Sequence, residues 1–327
     1  MPEISRRAAL LLGAASLAIG SAARAQSYPT RPVRLIVPYP AGGGTDIIAR
    51  VTAEGLSEAL GQQMFVDNRP GAGGSVGAAQ ASRAEPDGYT LIMAALTSHA
   101  INMWLQPNPG FDLRTSFSPV SMVGTMGLAL VVNPSVPAKS VAELVALAKE
   151  QPGKLGFASA GAGSPQHLAG EMFAAMSGTK LVHVPYRGAG PAMTDVLGGH
   201  VPIFFDTIPA TREHIKGGAL RALAVTTAEP SEFLPGVPTM ASLGFPGFEV
   251  GAKFAILAPA GAPEPVVARV NEEVGKLLKS RKMVDAMRSQ GISITPGGPA
   301  ETAKAIAQEI ALWEKVIKDS GVKLDDK

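Results

Sequence analysis

The chain has 327 residues, 46% of them hydrophobic, with 29 Lys and Arg against 27 Asp and Glu and no cysteine. The missing thiols exclude disulfides, thiolate metal sites, a cysteine nucleophile and a cysteine-linked lipid anchor. Near balance of charge, with no clustered excess of Lys and Arg, argues against a nucleic-acid or membrane-surface role.

Residues 1–25 carry Arg6 and Arg7, an uncharged stretch from Ala8 to Ala23 and an Ala23-Arg24-Ala25 ending, the pattern of a secretory signal peptide with a mature start near Gln26. Ser5-Arg6-Arg7 suggests a twin-arginine address, whereas Ala9 and Leu11 depart from it, so the general secretory route stays open. The segment takes three of the 29 basic and one of the 27 acidic residues, leaving 26 of each in a neutral exported chain. No later stretch reaches the roughly 20 apolar residues of a membrane span. The length that remains suits two lobes better than one.

Val33 to Val37 predicts a strand, Pro38 to Gly44 a glycine loop, and Thr45 or Asp46 the start of a helix, with Asp46 as a cap. Glycines let backbone N–H groups approach a ligand, and a helix start adds unpaired donors and a positive dipole end, which together make an anion pocket. Tyr89 to Ala95 predicts a second strand, with Thr97 or Ser98 capping a helix through Leu105. Leu155 to Ser159 predicts a third, followed by Ala160-Gly161-Ala162-Gly163, with Ser164 as N-cap, Pro165 at the first helical position and a helix over Gln166 to Met176. Leu181 to Val184 precedes Pro185-Tyr186-Arg187-Gly188-Ala189-Gly190, and Pro191 opens a helix closed by Gly198 and Gly199. Val201 to Phe205 and Leu220 to Val225 predict buried strands, with Asp206 at the end of the first. After a strand at Phe254 to Leu257 come helices over Pro263 to Leu278, Lys282 to Gln290 and Pro299 to Asp319. The last buries one face through Ala303, Ile306, Ile310, Trp313 and Ile317. Strands alternating with helices predict an α/β protein with largely parallel sheets, whose ligands sit beyond the carboxyl ends of the strands.

Sharper motifs are weaker. Gly73-Gly74-Ser75-Val76-Gly77 matches the G-x-S-x-G of hydrolases but follows a turn rather than a strand. Gly42-Gly43-Gly44-Thr45 lacks the lysine of a phosphate loop, and Gln166 stands where a dinucleotide fingerprint needs its third glycine. The five histidines show no metal-ligand spacing. His99 and His167 stand out because each opens a helix directly after a candidate ligand loop.

In order, Val37-Pro38-Tyr39-Pro40-Ala41-Gly42-Gly43, Asn68 to Gly74, Pro86 to Leu91, Thr97-Ser98-His99-Ala100-Ile101-Asn102, Gly163 to Glu171 and Val184 to Ala192 together resemble the Bug/TctC family, extracytoplasmic solute receptors of tripartite tricarboxylate transporters. The resemblance runs from about Tyr28 to the C-terminus. It implies an α/β, two-lobed periplasmic binding protein of the Venus flytrap, type II-like kind with two crossover segments. Lobe one would take 26–126 plus 251–327 and lobe two 127–250, with Gly127 and Gly251 near the crossings. It also implies a carboxylate clamp: Tyr39, Ala41, Gly42 and Gly43 facing Ser159, Gly161, Gly163 and Ser164, with Thr97, Ser98, His167, Tyr186 and Arg187 around the cleft and Asp206 able to receive an amine or hydroxyl. On this reading the chain is not an enzyme and uses no cofactor or metal. It is a periplasmic monomer that hands a small organic carboxylate, a dicarboxylate or an aromatic acid, to a membrane permease. The alternative is an exported serine hydrolase using Ser75 or Ser164 with a histidine.

Overall fold

The computed structural model describes residues 28–320; residues 1–27, on which the expected signal peptide falls, and 321–327 lie outside them. In chain order come β1 (Val33–Val37), α1 (Gly44–Leu60), β2 (Met64–Asn68), α2 (Ser75–Ser82), β3 (Thr90–Ala95), α3 (Leu96–Leu105), β4 (Phe117–Val132) and α4 (Val141–Glu150). There follow β5 (Gly156–Ser159), α5 (Pro165–Ser177), β6 (Val182–Pro185), α6 (Ala189–Leu197), β7 (Ile203–Thr207), α7 (Ile208–Lys216) and β8 (Arg221–Val225). The chain closes with β9 (Gly251–Pro259), α8 (Glu264–Leu277), α9 (Arg281–Ser289), β10 (Ser293–Gly297) and α10 (Pro299–Ser320). The fold is α/β, as its strand and helix alternation predicts.

The strands run β2-β1-β3-β9-β4-β7-β5-β6, with β8 and β10 also paired to β4. The sheet is mixed, which corrects the expectation of largely parallel pairing. β1 lies parallel to β2 and β3, and β5 to β6 and β7, but β9, β8 and β10 all enter antiparallel. Two units with the same order result: 2-1-3 in one and 6-5-7 in the other. In each, the chain leaves the middle strand and returns on either side of it, so the loop after β1 and the loop after β5 stand at equivalent switch points.

β4 joins the units. Its first part, Phe117 to Gly127, pairs with β9, and its second, Leu128 to Val132, pairs with β7. Just beyond the switch, Thr226 Oγ1 donates to the carbonyls of Leu128 and Val250, and the Val250 N–H donates to the Thr226 carbonyl at 3.3 Å. At Gly251 an added Cβ would stand 2.4 Å from the Met126 carbonyl oxygen, so nothing larger than glycine fits there. Beside it Lys253 bridges Glu249 (2.9 Å) and Glu309 (3.0 Å), and Glu309 accepts the Trp313 indole N–H at 2.9 Å.

Apolar burial follows the layers. One core, on the α10 side, is continuous across both units and includes Ile36, Leu96, Leu130, Phe157, Phe173, Phe205 and Trp313. On the opposite faces each unit has its own core, around Leu35, Ile48 and Phe254 in one and around Val131, Val196 and Phe204 in the other. Trp313 is fully buried, which fits its place in the predicted apolar face of the last helix.

Candidate functional site

After β1 the chain rises through Pro38 into an exposed loop, Pro40 to Gly43, then enters α1 at Gly44, just ahead of the expected start at Thr45 or Asp46. The first helical bond runs from Ile47 N–H to the Gly43 carbonyl (3.0 Å), which leaves the amides of Gly44, Thr45 and Asp46 as helix-start donors. Asp46 does not act as the N-cap. From the third helical position it reaches back to accept the Gly42 N–H (2.9 Å), and it also accepts from Arg50 (2.9 Å) and Asn68 (2.8 Å). Burial alone would raise this carboxyl, but those three donors outweigh it and hold Asp46 below the ordinary carboxylate range. Asn68 also donates to the Tyr39 carbonyl (3.1 Å), so one buried carboxylate and one amide set the course of the loop. The Gly42 amide is thereby committed to Asp46.

In the second unit Ser164 caps α5 as its sequence predicts, accepting the His167 N–H (3.2 Å) with Pro165 next to it. Ser164 Oγ also donates to the Gly161 carbonyl at 2.7 Å. Gly161 adopts φ +125 and Gly163 φ +75, backbone that a side chain would strain. Under this turn Ser159 is fully buried, His167 is 5% exposed, and His167 Nδ1 accepts the Gly163 N–H at 3.0 Å.

Between the two loops lies a cavity of about 330 Å³ lined by Tyr39, Gly73, Ser98 and Asn102 from one unit and Ala162, Gly163, Ser164 and Pro165 from the other, with Leu105 and Gln106 at its side. No Lys, Arg, Asp or Glu lines it. Tyr39, Ser98, Gly163 and Ser164 are the expected residues that meet there. Ala41, Gly42 and Gly43, in the exposed loop that follows Tyr39, are not among its lining residues; nor are Thr97, Ser159 and His167, which are buried, or Gly161, which is half-buried. Tyr186 sits after β6 with its hydroxyl donated to Asp195 (2.7 Å), and Arg187 is exposed without an ion pair among the described residues.

Buried polar atoms with no partner or a poor one collect around the first-unit wall. Among the described residues Thr97 Oγ1 and Ser75 Oγ have none, while the Tyr39 hydroxyl has only the neighbouring Ser98 and the His99 ring only the Gly74 backbone, neither at good hydrogen-bond geometry. Burial raises the Tyr39 phenol above its ordinary value, and the neighbouring Ser98 hydroxyl offsets this only in part. Burial also pushes His99 down to about 4, so it is a neutral ring, packed edge-on against Phe111 at 5.5 Å. Near the end of β7, and not in the cavity lining, Asp206 Oδ1 accepts from Thr207 N–H (2.8 Å) and Gln166 (3.2 Å), while Oδ2 is buried without a partner among the described residues. Burial raises Asp206 to about 6.

Thr97 and Ser98 do not cap α3. That helix already begins at Leu96, with Ala95 at the N-cap, so both residues sit in its first turn. Gly73, Asn102 and Gln106 were absent from the expected site. Asn102 Nδ2 donates to the Gly73 carbonyl (3.0 Å) and Gln106 Nε2 to the Ala72 carbonyl (2.9 Å), tying α3 to the glycine turn. The signal that finds them is helical spacing: Ser98, Asn102 and Leu105 or Gln106 share one face. A second groove, about 520 Å³ and largely apolar, lies between α5, Pro246-Gly247 and α10, away from both loops.

The chain is similar to known proteins over most of its length. A profile described as tripartite tricarboxylate transporter family receptor matches residues 48–322. Protein BugT of Bordetella pertussis is 39% identical over 311 residues, 95% of each chain. Among solved structures, R. palustris Rpa4515 with adipate is 36% identical with a TM-score of 0.75, covering 91% of this chain and 99% of that one. MatC (Rpa3494) from Rhodopseudomonas palustris with bound malate is 30% identical with a TM-score of 0.72, covering 89% and 100%.

Proposed function

The chain belongs to the tripartite tricarboxylate transporter receptor family, and from that premise we propose that it captures a small organic carboxylate in the cleft between its units and delivers it to a membrane permease. The observation that carries this reading is the 330 Å³ cavity where the loops after β1 and β5 converge, walled by hydroxyls, amides and backbone rather than formal cations. Helix starts and glycine-loop N–H groups stabilise an anion without any fixed positive charge, so neutrality of the wall is no obstacle. The relatives solved with adipate and malate support a dicarboxylate as the ligand; an aromatic acid is the second candidate from the sequence.

Lobe one, on this reading, comprises 26–126 plus 251–327 and lobe two 127–250, closing about the Gly127 and Gly251 crossings in the exported, periplasmic monomer. A ligand that touches both jaws favours closure, whereas one bound equally in both states shifts nothing. The serine-hydrolase alternative has less support. Ser164 Oγ is donated to the Gly161 carbonyl, Ser75 Oγ is enclosed, and Ser159, which does face a histidine, is fully buried. A thermal-shift screen tests the proposal: an organic acid at about a hundred times its Kd is expected to add about 2.7 kcal/mol of stability without turnover. Stabilisation by a sugar or a cation and by no acid overturns it.

A further inference from the structure

We propose that His183, with His167 stacked upon it, is a positioning residue that fixes the second-unit anion loop. The inference rests on the carboxylate reading of that loop. The two imidazoles lie 3.6 Å apart at 10°, and Phe157 stacks on them at 5.1 and 6.2 Å from the ring centroids. Phe157 in turn occupies the space over Gly170, where a Cβ would stand 2.2 Å from its ring. A layered support of glycine, phenyl and imidazoles therefore carries the loop.

The hydrogen bonds assign the protons. The Gly161 carbonyl accepts from Ser164 N–H (3.1 Å) and Ser164 Oγ (2.7 Å), which uses both its lone pairs. The Ser159 hydroxyl, 3.2 Å from that carbonyl and 2.6 Å from His183 Nε2, therefore gives its proton to the ring. His183 then carries its own proton on Nδ1. Ser159 Oγ is left to accept the Gly161 N–H at 3.0 Å. His167 likewise offers its Nδ1 lone pair to the Gly163 N–H, so its proton sits on Nε2, 3.6 Å from Glu171. Two neutral rings thus pin the amides of Gly161 and Gly163 from behind. Ala162, between these two held amides, lines the cavity.

The full chain is examined as wild type, His183→Ala and His183→Gln by long-range imidazole ¹H–¹⁵N spectra, amide hydrogen exchange and calorimetric titration with adipate and malate. In the wild type the unprotonated nitrogens are expected at His183 Nε2 and His167 Nδ1. His183→Ala is expected to speed Gly161 amide exchange and weaken acid binding, each about tenfold, the size of one lost hydrogen bond. His183→Gln, whose amide oxygen accepts the Ser159 proton, restores both. A proton on His183 Nε2, or unchanged Gly161 exchange in the alanine variant, overturns the proposal. If the alanine variant does not fold, the wild-type spectra and the glutamine variant decide. A wild type that binds neither acid counts against those ligands, while the spectra and exchange still judge the positioning role.

Discussion

Asp206 is an enclosed carboxyl held through one oxygen only. Its carboxyl is raised from 3.8 to about 6 by burial, and only Oδ1 is bonded. The sign follows from linkage: between the two values the folded state holds a proton that the unfolded state has released, so folding is favoured as pH falls through about 6 and penalised above it. The penalty above that range is about 3 kcal/mol by the shift alone. Asp206→Asn, which keeps an oxygen for the Thr207 N–H, is expected to raise the melting temperature at pH 8 by several degrees. The gain should vanish below pH 4, as scanning calorimetry across pH will report. Ser164 makes the complementary case. Its cap position was legible from Gly-Ser-Pro in the sequence, because a hydroxyl before an N1 proline has one common use. Ser164→Ala is expected to cost about 1 kcal/mol in denaturant unfolding. It should also weaken acid binding, through loss of the bond to the Gly161 carbonyl. His183 was not legible, since its partner Ser159 lies on a neighbouring strand and no sequence spacing pairs the two.

At the scale of elements, short strands ending in Gly, Pro and Ser were legible almost to the residue, because those residues punctuate the chain wherever a strand yields to a helix. The predicted strand at Leu155 to Ser159 is observed at Gly156–Ser159, and the predicted helix at Gln166 to Met176 at Pro165–Ser177. β4 was missed. Pro119, Gly124 and Gly127 interrupt its sequence, but register shifts at Pro119/Ser121 and Met122/Gly124 absorb the first two without ending the strand. The antiparallel entry of β9 was invisible for a related reason: a run such as Phe254 to Leu257 says that it is buried, not which neighbour buries it. Within α5, Gly170 is a packing requirement. Gly170→Ala drives its methyl into Phe157 and is expected to cost about 1–3 kcal/mol by chemical denaturation, as overpacked cores do. The same displacement reaches the imidazole stack, so its acid affinity should fall as well.

For the whole molecule, two units face each other across a cavity and are joined beside Gly127 and Gly251, where a Cβ would meet Thr227 at 2.2 Å and the Met126 carbonyl at 2.4 Å, so both crossings require glycine; closure about them is the motion that the proposed function predicts. Addition of a stabilising acid is expected to lower the radius of gyration measured by small-angle scattering; an unchanged value would mean that the ligand sits on one jaw only. Lys253, held between Glu249 and Glu309, ties the returning strand to α10. Lys253→Met leaves Glu309 buried without its cation and is expected to destabilise the fold by about 3–5 kcal/mol. The continuous core on the α10 side further argues that heat unfolds both units in one transition. The strand β4, shared end to end between the two halves, carries a consequence for modularity. Neither half can be inherited, exchanged or expressed as a separate cassette, because either cut leaves its share of β4 with an unpaired edge or none at all. New termini belong in the surface turns, where they leave this shared strand whole.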